Sequence, residues 1–246
     1  MGSYRLKEEY DIAFATFLRH TNEKEVLLRE IETRIRRAGA TSMLDIGAGN
    51  GELAVPLARL VGKYLAVEQK PTYANVLQEA GLRVLQESFP VAIERQFDLV
   101  VVSHALPYRA TDYGPFLNCA WACVAPSGSL LCITYDPAHS EWGDLRSDCG
   151  FPAKTSWGEE RLETLEAYLS VLGPTSVDVV TTHVSASSVA QMLSALSFVY
   201  SDGEPGKAAL FREQSGVLTD YLDMHYRIPE GYRFPFQHVF LQTQKR

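Results

Sequence analysis

A doubly wound α/β sheet is the fold class the sequence predicts, and three observations predict it. Short apolar runs of strand length recur at 42–46, 64–67, 97–104 and 130–135. Helix-length segments separate them. The first run also breaks into a glycine-rich turn, Gly47-Ala48-Gly49-Asn50-Gly51. Strands that alternate with helices build a largely parallel sheet covered on both faces. The expected architecture is a Rossmann-like, seven-stranded sheet in a single domain over 1–246. Residues 1–40 form a helical N-terminal lid, 41–135 a cofactor-binding core, and 136–246 a substrate insertion and closing strands.

The first strand, Ser42 to Ile46, has to turn sharply into a helix near Gly51, and glycines supply the positive φ angles and close backbone approach that a bound ligand needs. Asp45 stands at the end of the strand, where its carboxylate is expected to face the crevice at the carboxyl edge of the sheet. A fixed anion there suits the ammonium of a methionine-like moiety and not a pyrophosphate. A dinucleotide loop runs G-x-G-x-x-G and leaves free helix N–H groups for phosphate. Here the third glycine comes one residue early and Glu52 follows it. The loop therefore points to S-adenosylmethionine, with Gly47, Ala48, Gly49 and Gly51 as its backbone contacts and NAD as the second reading.

A helix over 52–61, with Pro56 in its early turns, leads to a second strand, Tyr64 to Val67, ending in Glu68. An acid about 20 residues past the glycines is where ribose hydroxyls are held, and an ionised carboxylate can accept from both. Gln69 continues that edge. A third strand, Leu82 to Leu85, ends in Gln86-Glu87-Ser88-Phe89, and Glu87, Ser88 and Phe89 could address an adenine. The fourth strand, Phe97 to His104, is apolar as a strand buried on both faces must be, and it delivers Ser103 and His104 to the same edge. A helix over 112–124 and a fifth strand, Leu130 to Tyr135, complete the rhythm.

With 246 residues, 46% hydrophobic and 22% charged, the chain can bury a sizeable core. A net charge of −7 and no basic stripe argue against a nucleic-acid substrate. Ser103-His104-Ala105-Leu106-Pro107-Tyr108 also lacks the Asn/Asp-Pro-Pro-aromatic turn that grips a base. No apolar stretch reaches the roughly 20 residues that span a bilayer, and the charged N-terminus is unlike a signal peptide. A cytoplasmic location is expected. Cys119, Cys123, Cys132 and Cys149 lack zinc-site spacing and read as buried thiols. His20, His139, His183, His225 and His238 show no cluster at metal-ligand spacing, so no metal is expected. Oligomeric state is not legible.

Tyr10, Phe14, Phe17 and Leu18 fall on one helical face, and His20-Thr21-Asn22-Glu23 reads as a break followed by a new helix capped near Thr21 or Asn22. The run Tyr10-x-x-x-Phe14-x-x-Phe17-Leu18-x-His20-Thr21-x-Glu23 resembles the start of the histamine N-methyltransferase family. Leu44-x-Ile46-Gly47-x-Gly49-x-Gly51-Glu52, Val67-Glu68, Leu106-x-Tyr108 and Ser140-x-Trp142-x-x-Leu145 with Gly150-Phe151-Pro152 are similar to it as well. Together these cover most of residues 4–160. The resemblance implies a methyltransferase with S-adenosylhomocysteine as product. It further implies an amine pocket walled by Tyr10, Phe14, Tyr108, Trp142 and Phe151 with Glu23 among them. Gln237 is the amide nearest to that family's C-terminal substrate contact.

The acceptor is expected to be a small molecule, preferably a nitrogen. Glu23 would anchor an ammonium or accept a proton, and aromatic faces attract cations. Two alternatives stand beside this reading. One is an O-methyltransferase acting on a secondary-metabolite hydroxyl with His104 as base. The other is a non-catalytic protein of the same fold that binds its nucleotide and senses it or scaffolds a partner.

Overall fold

The computed structural model describes residue 12 and residues 14–136, 140–151, 159–201 and 205–246. In chain order the elements begin with α1 (14–20), α2 (Glu23–Ala38), β1 (Ser42–Ile46), α3 (Ala54–Ala58), β2 (Lys63–Val67), α4 (Pro71–Glu79), β3 (Val84–Leu85) and β4 (Phe97–Ser103). They continue with α5 (Tyr113–Ala122), β5 (Val124–Tyr135), α6 (Glu141–Asp148), α7 (Glu159–Leu172), β6 (Thr175–Ala186), α8 (Val189–Ser201), α9 (Pro205–Glu213), α10 (Ser215–His225), β7 (Arg227–Ile228) and β8 (Gly231–Gln244). The chain divides into two compact units, a core unit of Lys24–Asp136, Ser156–Val180 and His238–Arg246, and a second unit of Met1–Glu23, Pro137–Thr155 and Thr181–Gln237.

The sheet runs β3-β2-β1-β4-β5-β8-β6, with the two-residue β7 paired to β8. Seven strands lie on that path, as the sequence predicts. β1 to β5 are parallel, and β8 returns antiparallel to β5. The chain steps outward from β1 to β3, then recrosses to the other side of β1 at β4. That reversal leaves a crevice beyond the carboxyl ends of β1 and β4, the place where open α/β sheets bind ligands.

Alternation along the strands divides the core in two. Leu44, Ile46, Val100, Val102, Leu130 and Cys132 face α5 and α7 through Phe116, Leu117, Ala120, Leu165 and Leu169. Met43, Leu99, Val101, Leu131 and Ile133 face α2 through Leu27, Ile31 and Ile35. Those three lie at i, i+4 and i+8, a single apolar stripe. Both faces are thus covered, which is why β4 is unbroken apolar sequence from Leu99 to Val102.

Some boundaries differ from expectation. β3 is two residues long, and α3 is one short helix rather than a full 52–61 helix. β5 begins at Val124, six residues before the expected strand. Thr21 caps the break before α2, its Oγ1 accepting from the Glu23 N–H at 3.1 Å. Among the described residues no helix is long and apolar enough to cross a membrane. In the second unit, Phe14 and Phe17 of α1 pack on Phe198 of α8 at 5.2 and 5.5 Å between ring centres.

Candidate cofactor and active site

The loop after β1 is built as its glycines require. Gly47, Gly49 and Gly51 have φ of 78°, 63° and 93°, a region that costs residues with a Cβ roughly 1–2 kcal/mol. The Gly47 N–H donates to the Val67 carbonyl at 2.8 Å, seating the loop on the end of β2. A Cβ on Gly47 would lie 2.3 Å from the Ala105 Cβ, so loop and post-β4 turn touch there. A Cβ on Gly49 would meet nothing within 4 Å. The loop therefore closes against protein at Gly47 and opens at Gly49.

Glu68 is buried at the end of β2. Its Oε2 accepts the Gly49 N–H at 2.8 Å and its Oε1 the Lys70 N–H at 2.7 Å. A carboxylate offers about four acceptor sites. Two donors hold it rigidly and leave capacity for the hydroxyls of a ribose. Gln69, Glu87 and Ser88 are exposed beside β2 and β3, whereas Phe89 packs edge-on against Phe116 at 4.9 Å.

Asp45 departs from its expected role. Its side chain lies on the Met43 face of β1, 4% exposed, and its Oδ2 accepts the Tyr64 hydroxyl at 2.6 Å. Burial pushes the carboxyl up to about 6, further raised by Glu68 and opposed by the Tyr64 hydrogen bond and by Lys24. The acid is a partner of Tyr64 under the loop rather than an open anion facing the crevice. Strand alternation could have signalled this, because Tyr64 stands opposite Met43 in the β1–β2 register.

At the end of β4, the Ser103 Oγ is buried and without a hydrogen-bond partner among the described residues. An unpartnered hydroxyl of this kind costs about 1–3 kcal/mol unless a ligand meets it. His104 follows with φ 53°, held by its N–H to the Ile133 carbonyl at 2.9 Å. That left-handed turn carries its ring onto Tyr135, 4.4 Å between centres, and its Nε2 lies 3.2 Å from the Nδ1 of His238. Tyr135 and His238 are cross-strand partners of β5 and β8. His238, expected from the sequence to belong to no cluster, is fully buried in this one. The 134 residues between the two histidines hid the pairing, so the reading of unclustered histidines is corrected for this pair.

The remaining expected residues lie as follows. Tyr10 falls outside the described residues. Tyr108 is exposed. In the second unit, Trp142 is buried against Phe234 and Phe236, and Phe151 stacks between Tyr200 and Phe211 at 4.5 and 5.8 Å. Both rings are core packing of that unit, as a large apolar side chain most often is. Glu23, the first residue of α2, is 2% exposed. Gln237 donates from Nε2 to Glu141, and its buried Oε1 has no partner among the described residues. An open cleft of about 440 Å³ in the same unit is lined by Arg19, His20, His183 and Arg233 among others, and by none of the expected aromatic rings. The four cysteines are free thiols, and burial raises Cys132 to about 12.

The open Gly49 side of the loop, the rigid Glu68 carboxylate and the unpartnered Ser103 hydroxyl all fit an adenosyl donor at the switch point. Residues 44–132 match the family model of a methyltransferase domain. The chain also has the fold of the YcgJ protein from Bacillus subtilis, with a TM-score of 0.55 at 16% identity, over 87% of this chain and 97% of that one. Among curated proteins, the chain is similar to a ubiquinone biosynthesis O-methyltransferase of Methylobacterium sp. strain 4-46, 38% identical over 106 residues, 39% of this chain and 41% of the relative. It is also similar to one of Azorhizobium caulinodans, 33% identical over 45% and 48% of the two chains. The chain thus spans under half the length of these relatives. They carry an O-methyltransferase name, not that of the histamine N-methyltransferase family.

Proposed function

We propose that this protein transfers a methyl group from S-adenosylmethionine to a hydroxyl of a small organic acceptor, with His104 taking the hydroxyl proton. The observation that carries the cofactor half is the Gly49 to Glu68 hydrogen bond beside open space at Gly49. The bound donor would supply an electrophilic methyl on a sulfonium sulfur. Gly47, Ala48, Gly49 and Gly51 would present main chain to it, Glu68 would accept from its ribose, and Ser103 would offer a hydroxyl. Holding acceptor and methyl in attack geometry is worth about 7–11 kcal/mol relative to free solution.

Two findings favour oxygen over the nitrogen read from the sequence. The curated relatives are named O-methyltransferases, and His104 is held at the carboxyl end of β4 by a second histidine, which suits an acceptor that must lose a proton. The nitrogen reading keeps one support, the buried Glu23 carboxylate, which would anchor a substrate ammonium. The net charge of −7 goes with a small-molecule acceptor rather than a nucleic acid, and a cytoplasmic setting belongs to the same reading.

Calorimetry with S-adenosylhomocysteine tests the cofactor site. Glu68→Ala and Gly49→Val should each weaken binding at least tenfold, about 1.4 kcal/mol. Unchanged affinity in both would remove the assigned site. Labelled donor with panels of phenols, catechols, amines and imidazoles tests the acceptor. Label transfer to amines alone would return the reading to nitrogen, and tight cofactor binding without any product would favour a sensing or scaffolding role.

A further inference from the structure

The hydroxyl reading draws on the contact between His104 and His238 without saying what a fully buried histidine on β8 does there. His238 is 0% exposed within the sheet, and its neighbours on the strand, Val239, Phe240 and Leu241, are core residues. An imidazole is a poor choice for such a position unless its nitrogens are used. One of them is: Nδ1 lies 3.2 Å from the His104 Nε2. The other end of the contact is held under strain, since His104 adopts φ 53°, a left-handed conformation that disfavours a residue with a Cβ. Strain of this kind gathers at sites where geometry is used.

Three independent features fix the pair. The antiparallel register sets Tyr135 opposite His238. The His104 N–H is tied to Ile133, two residues before Tyr135. The three rings then pack together, two pairs tilted and the histidine pair edge-on, with centres 4.4 Å (His104–Tyr135), 4.8 Å (Tyr135–His238) and 5.2 Å (His104–His238) apart.

Resting on the hydroxyl reading above, we propose that His238 is the positioning residue for His104, its Nδ1 accepting the His104 Nε2–H so that the His104 Nδ1 receives the acceptor's proton. In that step the acceptor O–H bond breaks, an N–H bond forms at His104 Nδ1, and the oxygen keeps the electron pair with which it attacks. His104 becomes an imidazolium. Its Nε2–H to Nδ1 bond is then charge-assisted, roughly twice as strong as a neutral one. His238 fixes which nitrogen of His104 is the base, and Tyr135 fixes the plane of the ring.

Two substitutions separate this from simple packing. His238→Phe keeps a ring on Tyr135 and removes the acceptor, whereas His238→Asn restores an acceptor oxygen near the place of Nδ1. Ring-nitrogen NMR of histidine-labelled protein reads the His104 tautomer without any substrate. The wild type should show its proton on Nε2, His238→Phe should lose that signature, and His238→Asn should recover it. With a phenol methylated in the acceptor screen, His238→Phe should lower kcat about 10–100-fold, part of the 10²–10⁴ that a general base supplies. The acceptor KM and S-adenosylhomocysteine affinity should stay within about twofold, and His238→Asn should regain at least about a third of the lost rate on a logarithmic scale. Retention of the tautomer signal or of full kcat in His238→Phe, or an Asn variant no better than Phe, would overturn the assignment. The two readings fail differently. His104→Ala at full turnover would sink the hydroxyl mechanism itself, while an inactive His104→Ala beside a fully active His238→Phe would sink only the positioning role.

Discussion

Replacing Asp45 by Asn should make the protein more stable at neutral pH. Asp45 is 4% exposed, and burial raises its carboxyl from 3.8 to about 6. A displacement of about 2.2 pH units at 1.36 kcal/mol each is about 3 kcal/mol. The sign follows from proton counts. Between pH 3.8 and about 6 the folded state holds a proton on Asp45 that the unfolded chain has released, so stability falls as pH rises through this window. Below it the cost vanishes, and above it the full cost is carried. An asparagine has nothing to ionise and still offers an amide oxygen to the Tyr64 hydroxyl. At pH 7.5 the variant should therefore gain up to about 3 kcal/mol, a rise in Tm of roughly 2–4 °C per kcal/mol for a chain of this length. At pH 4 the two proteins should unfold nearly together. Paired denaturant titrations at the two pH values make the check. A variant less stable than wild type at pH 7.5, or a difference that persists undiminished at pH 4, would refute the reasoning.

Further outcomes are expected from the same geometry. Gly47→Ala should both unfold the loop and abolish S-adenosylhomocysteine binding, because its Cβ would lie 2.3 Å from that of Ala105 at a φ of 78°; a folded variant with native affinity in calorimetry would contradict this. Gly49→Ala meets no atom, so it should fold with a penalty of only about 1–2 kcal/mol from its φ, seen as a modest drop in denaturation midpoint. Phe151→Ala should cost about 3–5 kcal/mol through loss of its stack with Tyr200 and Phe211, measured as early proteolysis of the second unit. Survival of that unit to the same protease dose would show the ring to be a wall and not core.

Much of the core unit is legible in the chain itself. The β1 loop, the acid closing β2 and the apolar β4 announce themselves locally, since each depends on residue type and spacing over a few positions: glycine where φ is positive, a carboxylate at a strand end, β-branched residues in a strand covered on both sides. Boundaries were less legible where tertiary pairing overrides pattern. β5 extends back to Val124 because Phe97 at the start of β4 pairs with it, and β3 shrinks to the two residues that pair with β2.

The sequence by itself determined the sheet, the glycine loop and the acid that closes β2, because all three follow from short-range periodicity and steric need. Only the tertiary structure decided that Asp45 belongs to Tyr64 and that His238 meets His104 across 134 residues. It also decided that Trp142 and Phe151 are packed into aromatic cores. The physical reason is common to all of them. A strand of alternating side chains does not say which face a polar group will share, or with which distant strand, until register and crossover bring two segments side by side.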